Sequence, residues 1–103
     1  MPRASKADWS IYVLSCGDGS VYTGIARDVL ARLSQHIAGK GARYTRGRGP
    51  LALLAKAKVG ERGAALRVEH AFKQLARADK DAVLARPRGL VGFVRRTRGR
   101  LSA

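Results

Sequence analysis

Residues 9–26 read WSIYVLSCGDGSVYTGIA, and their alternation decides the fold. Two short runs rich in β-branched and aromatic residues, WSIYVLSC and SVYTGIA, flank the turn-forming trio Gly17, Asp18 and Gly19. That arrangement predicts a β-hairpin. In the first run Trp9, Ile11 and Val13 share one face while Tyr12, Leu14 and Cys16 share the other; in the second, Val21, Thr23 and Ile25 alternate with Tyr22 and Gly24. Both faces are partly apolar, so the sheet is expected to be covered on both sides.

Working outward, Asp28 is suited to cap a helix running to about Ala38, with Leu30, Leu33 and Ile37 as its buried stripe and Gly39 as its stop. The stretch GKGARYTRGRGP, residues 39–50, carries the four cations Lys40, Arg43, Arg46 and Arg48 and no acid, so it reads as a solvent-facing loop. After Pro50, LALLAKAKV suits a third strand, its later part alternating. From about Glu61 to Arg77 the period becomes helical, with Ala65, Val68, Phe72, Leu75 and Ala76 on one side. A last short helix is expected after Asp79, ended by Pro87. Residues 87–103 hold five arginines and no acid and read as a basic, flexible C-terminal tail.

Within 103 residues there is room for one compact domain. The 21 Lys and Arg against 7 Asp and Glu give a formal charge of +14 on a chain whose 46 % hydrophobic content is enough for a core. A folded domain with that excess calls for a polyanion. The cations run from Arg27 to Arg100 instead of concentrating on one amphipathic helix, which favours nucleic acid over a membrane surface. A single cysteine excludes an intramolecular disulfide, and no Cys/His spacing matches a structural zinc site. With no signal-like or bilayer-length apolar run, the expected location is cytoplasmic.

Three polar positions stand out once placed on these elements. Arg32 and His36, four residues apart, are neighbours at the margin of the first helix's apolar stripe. Glu69 lies beside the apolar side of the later helix and is the only carboxylate between Glu61 and Asp79. An acid isolated in a phosphate-binding field opposes binding unless a divalent cation bridges it to a phosphodiester oxygen. A surface pair with Lys73 or Arg77 is the plainer reading of the same residue. Tyr44, set among Lys40, Arg43, Arg46 and Arg48, combines a stacking ring with phosphate-binding cations. His70 reads as a surface or packing residue, and Cys16 as a small buried hydrophobe.

Ser10-Ile11-Tyr12, then Tyr22-Thr23-Gly24, then Arg32, His36 and Glu69 in that order, resemble the GIY-YIG nuclease family, and DGSVYTGI and GKGARYTRGRGP are similar to its small standalone bacterial members. The likeness extends over residues 8–86. It implies an α+β domain of the broad α/β class, with a three-stranded antiparallel sheet flanked by helices. It also implies a single-metal phosphodiesterase site served by Mg²⁺ or Mn²⁺. By position, Glu69 would hold the metal and Arg32 the scissile phosphate. Tyr12 would act as general base or orient the nucleophile, its phenol drawn below a pKa of about 10 by surrounding cations, with Tyr22 and His36 as hydrogen-bonding supports. Ile25 stands where some members carry lysine, and the sequence contains no asparagine. The resemblance thus implies an endonuclease acting on DNA ahead of RNA, in repair or recombination; the alternative is a non-catalytic nucleic-acid-binding module on the same scaffold.

Overall fold

A computed structural model describes residues 8–102; the first seven residues, part of the stretch read for targeting, lie outside it. The hairpin forms as expected from β1 (Trp9–Ser15) and β2 (Val21–Ala26). Its turn is closed by Cys16 N–H donating to Ser20 O at 2.9 Å, with Gly19 at φ 86°, a value that favours glycine. The third strand, β3 (Ala52–Gly60), also forms. It pairs antiparallel with β1, giving the order β2-β1-β3.

The central strand carries both layers of the molecule. Ile11 and Val13 point to one side with Ala57 and Val59, and there they meet Ala65, Val68 and Phe72 of α2 (Arg62–Lys73). Tyr12 and Leu14 point to the other side and pack with Ala26, Val29 and Leu33. Val29 and Leu33 belong to α1 (Val29–Ile37), whose start is capped as expected: Ala31 N–H donates to Asp28 Oδ1 at 3.0 Å. A sheet with two apolar faces has therefore been covered on both.

Three expectations are corrected. In α1 the inward residues are Val29, Leu33 and His36, while Leu30 and Ile37 are 59 % and 63 % exposed. The helix is rotated because the imidazole of His36, 2 % exposed, is satisfied inside by polar partners and takes an inward place. The loop after Gly39 is not wholly solvent-facing. It contains a short 3₁₀ turn, Arg43–Thr45, and Gly41 and Thr45 are buried.

The third correction concerns the C-terminal residues. Following α3 (Arg77–Ala85), residues read as a mobile tail form α4 (Gly89–Ser102), which contributes Leu90, Phe93 and Val94 to the main core. Phe93 meets Phe72 edge-on, ring centroids 5.3 Å apart at 87°. Leu90, Phe93, Val94 and Thr97 recur at i, i+3, i+4 and i+7, a buried stripe under an arginine-rich exterior. Arg98 on the same helix donates to Val59 O at 2.6 Å. Phe93→Ala is therefore expected to lower unfolding free energy by about 3 kcal/mol in urea titration; a mobile tail would give no change.

Candidate active site

The site is built from one steric allowance. Tyr12 and Gly24 are cross-strand partners, and a Cβ on Gly24 would stand 2.6 Å from the Tyr12 hydroxyl oxygen. Only glycine lets the Tyr12 ring lie across β2. The ring is 1 % exposed, and its hydroxyl reaches His36 Nε2 at 2.7 Å.

His36 is then fixed from its other nitrogen. Nδ1 is 2.9 Å from Thr45 Oγ1, and the Thr45 hydroxyl lies 2.9 Å from Ala42 O. A hydroxyl has one proton. Given to the Ala42 carbonyl, which has none to return, that proton leaves Thr45 Oγ1 to accept from Nδ1–H. The Nε2 lone pair then faces the Tyr12 O–H. The opposing contact, Ala42 N–H to Nδ1, is the longest of the set at 3.3 Å. Gly41 admits this packing, since a Cβ there would come 2.2 Å from Nδ1.

Around this pair the remaining candidates converge. Tyr22 lies edge-on to His36, centroids 5.3 Å apart, and 6.3 Å from the Tyr12 ring. Arg32, one turn before His36, is half-buried; its guanidinium donates to Gln35 Oε1 at 2.8 Å and lies beside the Tyr12 hydroxyl. Glu69, on α2, is near enough to Tyr12 to oppose its ionisation. Its carboxylate is 16 % exposed and pairs with Lys73 at 3.3 Å. His70 is exposed and Cys16 buried, as read from the sequence.

The expected lowering of the Tyr12 pKa is reversed. Burial, with the Tyr22 phenol adding to it, pushes Tyr12 up to about 12, and the neighbouring Arg32 only partly offsets this. Desolvation of a nearly enclosed phenolate outweighs the attraction of one guanidinium. His36 moves down from 6.5 through burial and then through Arg32. Both groups of the short hydrogen bond are consequently neutral at pH 7.

The basic loop joins the site more closely than its composition suggested. Tyr44 stacks on Tyr22 with centroids 5.8 Å apart at 28° and remains 41 % exposed. Arg48 lies over the Tyr44 ring at 4.3 Å and pairs with Asp18 of the hairpin turn at 2.5 Å, so it pins the loop to the hairpin. Hydrogen bonds from Ser20, with Arg48 assisting, hold the Asp18 carboxyl down at about 2. Lys40, Arg43 and Arg46 are exposed. Thr45 had no signal of its own in the sequence, because its partner is nine residues away and no period links the two.

Comparison with known proteins identifies the family. A family model described as the GIY-YIG catalytic domain matches residues 8–81. The chain belongs to the GIY-YIG family. It is 44 % identical over 91 residues to a UPF0213 protein of Yersinia enterocolitica, covering 87 % of this chain and 94 % of that one. A UPF0213 protein of Aeromonas hydrophila is 49 % identical over 86 residues, covering 84 % of this chain but 62 % of the relative, so the chain spans about three fifths of that protein. The solution NMR structure of a UPF0213 protein from Bacillus halodurans matches with a TM-score of 0.50 at 42 % identity, covering 76 % of this chain and 83 % of that one. That of the protein EF2693 from E. faecalis gives 0.51 at 33 % identity, with 80 % and 88 % covered. The GIY-YIG fold, a three-stranded antiparallel sheet with helices, is the one expected from the sequence.

The donor set bears on the family's metal. Among the described residues no three His, Cys, Asp or Glu side chains cluster as a cage. A single carboxylate such as Glu69 fits a hard cation that keeps most of its waters and takes its other ligands from phosphate, the habit of Mg²⁺. No described helix is long and apolar enough to cross a membrane.

The neutral pair sets a pH dependence of stability. Below 6.5 the unfolded His36 takes up a proton that the folded one refuses, so stability is fully present above 6.5 and is lost as pH falls from there through the lower folded value. For Tyr12 the unfolded phenol ionises near 10 and the folded one near 12, so stability declines as pH rises through that window. Thermal melts are expected to plateau between about 6.5 and 10, and His36→Gln should lower the melting temperature there while flattening the acid slope between pH 7.5 and 5.5.

Proposed function

We propose that this GIY-YIG protein is a metal-dependent endonuclease that hydrolyses phosphodiester bonds in DNA, with Tyr12, Tyr22, Arg32, His36 and Glu69 as its working side chains. The supporting observation is the Tyr12–His36 hydrogen bond with Tyr22 edge-on to the imidazole and Arg32 beside the phenol, while Glu69 acts on Tyr12 through its charge. Lys40, Arg43, Tyr44 and Arg46 provide cations and a ring beside it for the backbone and a base, with Arg48 holding their loop in place.

Arg32 serves as the clamp. In-line attack at phosphorus concentrates negative charge on the phosphoryl oxygens, and a fixed guanidinium stabilises that charge more in the transition state than before it. Glu69 would hold Mg²⁺ or Mn²⁺, giving up its contact with Lys73. The bound ion supplies Lewis-acid polarisation of a phosphoryl oxygen.

Tyr12 works as a neutral phenol and passes a proton on. As the attacking water forms its bond to phosphorus, its proton moves to the Tyr12 oxygen while the Tyr12 proton moves to His36 Nε2. The P–O ester bond breaks, and the departing oxygen takes a proton from solvent. His36 can accept because it is neutral at pH 7 and because Thr45 holds its own proton on Nδ1. Tyr22 keeps the imidazole plane in place from its edge.

Purified protein with Mg²⁺ or Mn²⁺ is expected to cut DNA, and Arg32→Ala or Glu69→Gln to reduce the rate by about 10²- to 10³-fold. Cleavage by Glu69→Gln equal to that of the parent would assign the activity to a contaminant and end this reading.

A second measurement addresses the proton path. Thr45→Val removes the acceptor for Nδ1–H and releases the tautomer that points Nε2–H at Tyr12. Its kcat is expected to fall about 10- to 100-fold with KM unchanged, and Thr45→Ser to restore it. The rate of the parent should stay flat down through pH 6.5 and decline only further below it, where the folded His36 at last takes up a proton.

A further inference from the structure

Trp9 opens a second aromatic position, away from the basic loop. A groove of about 420 Å³ runs along the start of α1 and is lined by Trp9, Ile25, Arg27, Arg32 and Gln35, among others. It shares Arg32 with the site described above. The indole of Trp9 is half-buried, packed against the main core, and so is held in place. Arg27 and Arg62, both exposed, lie over the indole, their guanidinium carbons 5.8 and 5.6 Å from the ring centroid.

Among the described residues no ion pair engages the arginines at this groove. The ion pairs among the described residues engage Arg48, Lys58, Lys73 and Arg77 and leave Arg27, Arg32 and Arg62 outside them. The one carboxylate on its wall, Asp28, is occupied in capping α1. A base stacking on the indole takes the place of a guanidinium over the ring, and that guanidinium, engaged by no ion pair among the described residues, is then at hand for the adjoining phosphate.

Position narrows the ligand further. Arg32 and His36 sit one turn apart on α1, Arg32 at the Trp9 groove and His36 beside the Tyr22–Tyr44 stack. The half-buried Trp9 and the Tyr22–Tyr44 stack therefore flank the phosphate clamp. A duplex presents base edges and phosphates but hides its π faces within the stack. Only an unpaired base can lie on an indole.

We propose that the Trp9 groove binds an unpaired nucleotide next to the phosphodiester held at Arg32, its base on Trp9 and its phosphates at Arg27 and Arg62. This rests on the nuclease reading for its substrate class and adds to it a demand for single-stranded DNA beside the cut.

Trp9 is the only tryptophan in the chain, so its emission reports the groove directly. The protein is titrated in metal-free buffer with a fluorescently labelled oligothymidylate or with a blunt duplex of equal phosphate number. Label anisotropy gives binding, and tryptophan emission gives occupancy of the groove. Expected is quenching by the single strand that saturates together with the anisotropy, little quenching by the duplex, and a roughly tenfold weaker single-strand affinity for Arg27→Ala. Trp9→Phe, which keeps an aromatic ring in the core, is expected to bind the single strand less tightly and the duplex unchanged.

Three results would overturn the proposal: single-strand binding that saturates with no change in Trp9 emission, equal quenching by the duplex, or no single-strand binding at all. Quenching without any cleavage in Mg²⁺ would keep the groove and remove the nuclease reading. Cleavage with a silent Trp9 would do the reverse.

Discussion

A tyrosine ring can lie flat across a neighbouring strand only where that strand offers no side chain, and Gly24 is that place for Tyr12. The arrangement of α1 and of the basic loop follows from it. With its hydroxyl carried over β2, Tyr12 meets His36, and a buried imidazole must find partners for both nitrogens. One is Tyr12; the other draws Thr45 inward and brings its loop against the sheet. Tyr44, adjacent to Thr45, then comes to stack on Tyr22. The loop's place is held at its far end by the Arg48–Asp18 pair and by Gly17 N–H donating to Arg48 O at 2.6 Å.

The same constraint explains what could be read in the sequence and what could not. The hairpin was legible because strict alternation and a Gly-Asp-Gly turn have few other solutions. The α2 face was legible because Ala65, Val68 and Phe72 are apolar and periodic. The inward face of α1 was not, since a period count scores His36 as polar and so selects Leu30 and Ile37, which lie on the surface. Tertiary hydrogen bonding overrode the pattern. In α4 the apolar positions Leu90, Phe93 and Val94 were present but diluted by glycine and arginine, so a buried helix looked like a tail. The order of Tyr12, Tyr22, Arg32, His36 and Glu69 was visible through the family resemblance, whereas Thr45 depended on a contact made only in the folded chain.

Charge is distributed in keeping with this division. With 7 acids against 21 Lys and Arg, the few carboxylates go to architecture. Asp18 ties the loop to the hairpin, Asp28 caps α1 and Asp81 pairs with Arg77 at 2.9 Å. Arg77 also donates to Gly19 O at 2.9 Å, fastening α3 to the same hairpin turn that Arg48 holds. The surplus cations are left without acidic partners and repel one another. That repulsion favours any polyanion laid along them, because each phosphate bound relieves it and releases counterions.

Within that positive field the Tyr12 phenol still resists ionisation, and the reason is distance against enclosure. Most of the +14 charge lies at the solvent-screened surface, where its influence fades over about 10 Å. The cost of removing water from the phenolate is local and unscreened. Arg32 alone is close enough to act, and it is outweighed. The neutral phenol is therefore the resting form of Tyr12 at pH 7. A phenol coupled to a neutral histidine needs no prior ionisation, since gaining one proton and losing another leaves its charge unchanged; what the fold must supply is an acceptor on the far side. In the proposed reaction His36, 2.7 Å from the phenol and backed by Thr45 at Nδ1, is that acceptor.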